Sequence, residues 1–380
     1  MTTRYPVRIA HVIVGLDVGG AERFLVRLVE AHKNNPGFEH RVISLTTKGV
    51  LGPGLEKIGI PVTALGMRNI ADAPSVYLRL VNALRADKPD VLQCWMYYAD
   101  LLGGLAGRQL GMKTILWGIR NSHFESGGTR LKRLIRKTCA WLSHVVPSSI
   151  VCVAESARAV HEAAGYDNTR MQVIHNGYDP ESFQYSDMAR QSLRRELTVP
   201  DDAIVIGSVG RYSAAKDHAS FVKAAAIAGR DRSNTYFLLV GRELTAANET
   251  LQNLIDATGF PERFILLGER PDIAACMSAM DIFCLHSRTE GFPNVLGEAM
   301  CIGLPCVTTD VGDASVLLGR TGLVIRKDSV PELAAGLSSM LHKPGTEREA
   351  LGVLARRRIE ENFTLAHAVE KFEMLYRPQA

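Results

Sequence analysis

Short runs of aliphatic and β-branched residues alternate along this chain with longer segments whose apolar side chains recur at helical spacing. In the first half the short runs are Val7–Val14, Arg41–Leu45, Val91–Cys94, Thr114–Ile119, Ile150–Val153 and Gln172–His175. Between them, Ala21–His32, Val76–Ala86 and Thr129–Leu142 read as amphipathic helices. Strand and helix in repeated alternation predict βαβ units, and so a parallel sheet covered on both faces.

Residues 180–202 interrupt the rhythm. This stretch is polar, carries Asp187, Arg190, Arg194 and Arg195, and ends in Pro200-Asp201-Asp202. It reads as a linker. Strand-like runs then resume at Ala203–Val209, Thr235–Val240, Arg263–Leu267, Asp281–Leu285 and Pro305–Thr308, and the chain after Pro344 reads as helical. The expectation is an α/β protein of two doubly wound, Rossmann-like domains facing a central cleft. The first would span 1–185 together with a returning helix at 362–380, and the second 186–361. In such sheets, ligands bind at the carboxyl ends of the strands.

Composition narrows the class of protein. A chain of 380 residues fits two domains. The formal net charge of +4 is too small to point to nucleic acid. Seven cysteines form no C-x-x-C pair and several sit in apolar runs, as in Ile282-Phe283-Cys284-Leu285. They read as buried thiols in a reducing compartment. The N-terminus lacks the pattern of a signal peptide. The most apolar long window, Cys139–Ala154, is broken by His144, Pro147, Ser148 and Ser149 and makes no membrane span. A cytoplasmic location is expected.

Three segments carry candidate chemistry. Gly15-Leu16-Asp17-Val18-Gly19-Gly20-Ala21-Glu22 follows a strand and opens a helix, so Gly19 and Gly20 would let backbone amides approach an anion. It is not G-x-G-x-x-G, and no acidic residue follows at the ribose distance, which disfavours a nicotinamide-dependent dehydrogenase. A plain strand-to-helix turn accounts for it equally well. The second segment is Gly210-Arg211-Tyr212-Ser213-Ala214-Ala215-Lys216, whose two cations on one strand-to-helix loop suit a diphosphate. Alone, it reads more simply as a solvated loop. The third is Glu290-Gly291-Phe292-Pro293-Asn294-Val295-Leu296-Gly297-Glu298-Ala299-Met300, with Pro293 suited to the first turn of a helix. Its two acids could hold hydroxyl groups or pair with arginines, and spacing does not decide between these.

Taken together, these segments resemble the family 4 glycosyltransferases. Glu290 and Glu298 match that family's E-x7-E motif, and the run from Thr289 to Asp310 looks like its most recognisable segment. The loop Gly210–Lys216 resembles its diphosphate loop, Asn176-Gly177 its N-G-V-D, and the C-terminal E-N-F-T…F-E-M-L-Y its closing helix. The resemblance spans nearly the whole chain and implies a retaining transferase of GT-B fold. It implies that Arg211 and Lys216 hold the donor diphosphate and that Glu290 touches the transferred sugar. Glu298 would bind the ribose, and Asn294, Val295 and Leu296 would offer backbone amides. Gly19 and Gly20 would border the donor from the other domain, with Gly241 and Arg270 near the base. Many members place a histidine after the strand equivalent to Thr114–Ile119. Here Arg120 and Asn121 stand near that position and His123 comes slightly later, so any of the three could contact donor sugar or acceptor.

With retention implied and no separately placed nucleophile and base evident in the sequence, front-face substitution is expected, in which the leaving diphosphate takes the proton of the attacking hydroxyl. No metal and no cofactor are expected, the nucleoside-diphosphate sugar being a substrate, with UDP preferred. The expected partner is a glycan acceptor, carried on a polyprenyl diphosphate in surface-polysaccharide synthesis, which would receive a hexose or N-acetylhexosamine. The helix expected at 130–142 gathers Leu131, Leu134, Ile135, Thr138 and Leu142 on one side, and Arg130, Lys132, Arg133, Arg136 and Lys137 on the other. That pattern fits peripheral contact with anionic lipid, a pyrophosphate-linked acceptor, or a core helix with a solvated basic face. A soluble acceptor, a sugar-nucleotide epimerase and a non-catalytic glycan- or nucleotide-binding scaffold are the competing readings.

Overall fold

The computed structural model describes residues 6–122 and 129–377. The chain forms two compact units. The first runs to Gly177 and takes in the chain from Leu365 onward, and the second is Tyr178–Thr364.

The sheet of the first unit has strands β1 (Val7–Ile13), β2 (Phe38–Ser44), β3 (Val62–Ala64), β4 (Val91–Trp95), β5 (Thr114–Ile119), β6 (Ser149–Cys152) and β7 (Met171–Val173). They are ordered β3-β2-β1-β4-β5-β6-β7 and all neighbours run parallel. The second unit contains β8 (Ile204–Val209), β9 (Thr235–Val240), β10 (Phe264–Leu266), β11 (Ile282–Leu285), β12 (Cys306–Thr309) and β13 (Leu323–Ile325). Their order is β10-β9-β8-β11-β12-β13, again parallel. The sequence pattern did not reveal β3 or β13. Each has three residues and lies at a sheet edge, as do β7 and β10, so length alone does not separate the strands missed from those found.

The polar stretch read as a linker contains a helix, Asp187–Glu196, started by Ser186, whose hydroxyl accepts from Ala189 N–H. Two of its three arginines turn inward, while Arg195 stays exposed. Arg190 and Arg194 each meet Asp281 at 2.6 Å, and Arg194 also donates to the carbonyls of Ala279 and Ala203. The second unit begins at Tyr178, ahead of the boundary expected at 185/186. Tyr178 fixes that start: its N–H donates to Phe363 O at 2.9 Å, and its buried ring stacks on Phe292. The same contact breaks the helical tail at Phe363–Thr364, so the helices are Gly345–Asn362 and Leu365–Tyr376. The returning segment thus starts after 361/362.

Leu365–Tyr376 packs on the first unit through Phe372, whose ring lies 5.8 Å from Phe24 and 6.3 Å from Trp95. Beside it is a buried histidine cluster. Trp95 Nε1 donates to His11 Nδ1 at 3.2 Å, which leaves His11 Nε2 to donate to His40 Nδ1 at 2.9 Å. His32 stacks on His40 at 4.8 Å and stands 3.3 Å from Glu373 Oε1 on the returning helix. Burial lowers the pKa of all three histidines, that of His40 to about 3.

All seven cysteines are buried and unpaired, as their apolar surroundings suggested. Among the described residues no helix is long and apolar enough to cross a membrane.

Candidate active site

Strand order reverses between β1 and β4 in the first unit and between β8 and β11 in the second. At such switch points the loops leaving neighbouring strands diverge and open a crevice. The sequence motifs lie on these loops.

In the second unit, the loop after β8 carries Arg211 and Lys216, and the loop after β11 carries Glu290. Lys216 Nζ donates to Glu290 Oε1 at 2.6 Å, and Ser287 Oγ donates to the same oxygen at 2.5 Å. Arg211 is exposed and makes no ion pair among the described residues. The two loops are tied by further bonds. Arg288 N–H donates to Ala215 O at 2.8 Å, and the Arg288 side chain meets Asp217 at 3.0 Å. His286 is buried, and burial lowers its pKa well below the ordinary imidazole value. Neutral, it donates from Nδ1 to Lys216 O at 2.5 Å and accepts from Ser208 Oγ at 2.8 Å. The backbone of the cationic loop is thereby fixed to the end of β11.

Two glycines allow the neighbouring loops to close on this pair. A Cβ at Gly241, after β9, would run into Gly210 O. Gly312, at φ +55, lies against the carbonyls of Glu290 and Gly291, where a side chain would push the Glu290 loop away. Asp313 N–H donates to Gly291 O at 3.0 Å in the same turn.

The helix Asn294–Ile302 follows Glu290, with Pro293 as its N-cap residue instead of its first helical one. Its aligned peptides leave a partial positive charge at the helix start. The amide of Leu296 in the first turn is drawn to Pro293 O at 3.2 Å. Glu298 lies a turn inside the helix and is buried. Arg270, after β10, is held by Asp272 at 2.8 and 2.7 Å.

In the first unit, Gly19 caps the helix Gly20–Ala31 in extended conformation. The carboxylate of Glu22 folds back over Gly19, and burial raises its pKa. After β5 the two candidate residues diverge. Arg120 turns inward: its guanidinium sits 4.1 Å from the Phe24 ring and 4.9 Å from Trp95, with no hydrogen-bond partner among the described residues. Burial lowers its pKa to about 9. Asn121 stays half-exposed at the rim. His123 lies outside the described residues.

Sequence reasoning passed over Ser287, His286 and Gly312. All three act through backbone or through another side chain, and such roles leave no motif. No group of three or more His, Cys, Asp or Glu is placed to hold a metal ion among the described residues.

Comparison with known proteins places the chain among carbohydrate enzymes. A family model described as Glycosyltransferase Family 4 matches residues 18–182, and one described as Glycosyl transferases group 1 matches residues 189–358. A UDP-Gal:alpha-D-GlcNAc-diphosphoundecaprenol alpha-1,3-galactosyltransferase from Escherichia coli is 23% identical, with 99% of this chain and 98% of that protein aligned. The lipopolysaccharide core biosynthesis mannosyltransferase LpsB of Rhizobium meliloti is 24% identical over 90% of this chain and 95% of its own. Among solved structures, HepE from Anabaena in complex with UDP superposes with a TM-score of 0.85. It is 20% identical, with 97% of this chain and 98% of that one covered.

Proposed function

Because this chain belongs to the family 4 glycosyltransferases, with the two Rossmann-like domains of the GT-B fold, we propose that it moves a hexose or N-acetylhexosamine from a UDP-sugar to a glycan hydroxyl, with retention of configuration. The observation that carries this reading is the Lys216–Glu290 pair at the switch point of the second unit, with Arg211 beside it on the same loop. An exposed arginine and a lysine on one loop, next to a helix N-terminus, match a diphosphate in charge. HepE was crystallised with UDP and with UDP-glucose, which favours uridine as the base.

In the proposed step, the bond from the sugar's anomeric carbon to the diphosphate breaks while the acceptor oxygen bonds on the same face. The acceptor's proton passes to an oxygen of the departing diphosphate. Arg211 and Lys216 offset the charge that grows there, joined by the amides of Asn294 and Val295. Glu290 holds hydroxyls of the transferred sugar and Glu298 those of the ribose. Gly19 and Gly20 are the donor contacts proposed in the first unit, and Gly241 and Arg270 those near the base. Two cations and a helix terminus provide the positive charge that a metal ion provides in other transferases, so turnover is expected without one.

The acceptor is proposed to be a glycan carried on a polyprenyl diphosphate, as the name of the Escherichia coli relative states for that enzyme, in surface-polysaccharide synthesis. The helix Arg130–Leu142 supports this. Ile135, Cys139 and Leu142 are buried, but Leu134 is 61% exposed, Trp141 73% and Val145, just beyond the helix, 57%. They form one apolar stripe, with Arg130, Arg133 and Lys137 along its flank. The sequence pattern had assigned Leu134 to the same face as Ile135, but the helix is rotated so that only part of that face is covered. An exposed tryptophan between aliphatic and basic residues suits an anionic lipid surface.

Initial rates test the reading. With UDP-hexoses and a polyprenyl-diphosphate glycan in vesicles, transfer should survive EDTA and preserve the donor's anomeric configuration. It should be faster on anionic than on neutral vesicles. Leu134→Ser with Trp141→Ser should remove that preference. Activity restored only by Mn²⁺ or Mg²⁺, an inverted product, or equal rates on both vesicles would refute the corresponding part.

A further inference from the structure

A polar relay crosses the carboxyl ends of β4, β5 and the helix after β6. Met96 follows β4 at φ 72, ψ 161, a backbone conformation that side chains rarely adopt. Strain of this kind persists where the surroundings enforce it, often at functional sites. It delivers Tyr97 to the start of the helix Tyr97–Gln109. There Tyr97 Oη stands 2.7 Å from His161 Nε2 and 2.8 Å from the side-chain oxygen of Asn121. His161, on the helix Glu155–Ala163, is fully buried and stacks on Tyr97, with its Nδ1 2.7 Å from Ala157 O.

Proton counting fixes this relay. A carbonyl oxygen only accepts, so His161 Nδ1 carries a hydrogen and donates to Ala157 O. Burial lowers the pKa of His161 to about 4, although the Ala157 carbonyl pulls the other way. The neutral ring then has a bare Nε2, which accepts the single proton of Tyr97. That proton cannot also serve Asn121. The amide of Asn121 exchanges its oxygen and nitrogen by a half-turn about Cβ–Cγ, which swaps an acceptor for a donor at the same place. With its nitrogen turned to Tyr97 Oη, it donates there and its oxygen faces outward from the rim.

We propose that Tyr97 and His161 are positioning residues that hold the Asn121 carbonyl outward, where it accepts a hydrogen bond from a sugar hydroxyl. The inference rests on the glycosyltransferase reading and adds to it a rule of polarity: the rim of the first unit receives a hydroxyl hydrogen at Asn121. That hydroxyl belongs to either the acceptor glycan or the donor sugar.

Steady-state kinetics and NMR test it together. Tyr97→Phe removes the hydrogen that orients the relay while keeping the ring. It should raise KM for one of the two sugar substrates by about 3- to 10-fold, the usual effect of one neutral hydrogen bond, with little change in kcat. Which KM moves identifies the owner of the hydroxyl. Asn121→Ala should do the same, and the double variant should be no worse than Asn121→Ala alone. Additive losses, or no change in either KM, would overturn the proposal. Asn121→Asp gives an independent reading. A carboxylate only accepts, so Tyr97 must donate to it and His161 must donate to Tyr97, which requires the imidazolium. The imidazole titration of His161, followed by NMR, should therefore shift to higher pH in this variant, and an unchanged titration would overturn the relay. Absence of any transfer by the wild-type protein would instead sink the enzymatic reading, with the titration still reporting on the relay.

Discussion

Lys216→Ala is expected to lower kcat/KM by about 100- to 1000-fold, the range seen when one preorganised charge is removed from a developing anion. The lysine lies at 2.6 Å from Glu290 on a loop tied down by His286 and Arg288. Alanine removes the cation and leaves the Glu290 carboxylate with Ser287 but without its counter-charge, so the site becomes more negative where negative charge must accumulate. Lys216→Arg should recover only part of the loss, because a planar fork cannot place its charge where the ammonium sat. The folded state should barely notice, since the pair is partly solvated and such pairs add little stability. A thermal midpoint near wild type beside a collapsed rate is the expected result. A rate within a few-fold of wild type would remove Lys216 from the mechanism.

Acid should weaken the first unit through its histidine cluster. His11, His32 and His40 have pKa values lowered by burial, that of His40 to about 3 against an ordinary 6.5. Below about pH 6.5 the unfolded chain binds protons that these folded rings refuse, so stability falls as pH drops and is fully present above that value. Each such ring contributes a slope of about 1.4 kcal/mol per pH unit. Asp100 opposes this trend. Burial raises its pKa to about 8, so the folded carboxyl gains relative stability as pH falls from there towards the ordinary carboxylate range. His40→Asn should be less stable than wild type at pH 7.5 yet show a shallower loss between pH 6 and 4, by about one ring's slope. Denaturation midpoints across that range give the comparison, and parallel slopes for the two proteins would exclude His40 as a source. The returning helix Leu365–Tyr376, which meets His32 through Glu373, should be the first element to lose amide protection.

How much of this was written in the sequence depends on the scale of the feature. The long central strands were legible because apolar runs of that length admit few other readings, and alternation with helices fixed the parallel class. The edge strands Val62–Ala64 and Leu323–Ile325 were not, although the equally short edge strands β7 and β10 were. Residues 187–196 looked like a solvated linker because arginine hides its destination. Asp281, the partner that holds Arg190 and Arg194, is remote in sequence. For the candidate site, Arg211, Lys216 and Glu290 stood out as charges on loops after strands, and Glu298 as an acid in the helix that follows. Their supports, His286, Ser287 and Gly312, depend on distances between loops and could not. Adjacent residues Arg120 and Asn121 looked alike as polar candidates, and only the packing of Arg120 against Phe24 and Trp95 separates it from Asn121 at the rim.

The central claim is that loops of the second unit bind a nucleoside diphosphate, and the thermal midpoint of the purified protein with UDP, GDP and ADP tests it most directly. A ligand that binds only the folded state raises the midpoint, by an amount equivalent to about 2.7 kcal/mol at a hundredfold excess over its Kd. The account predicts a clear rise with UDP, little with GDP or ADP, and a much reduced UDP effect in Arg211→Ala and Glu298→Ala. No rise with any of the three nucleotides would contradict it.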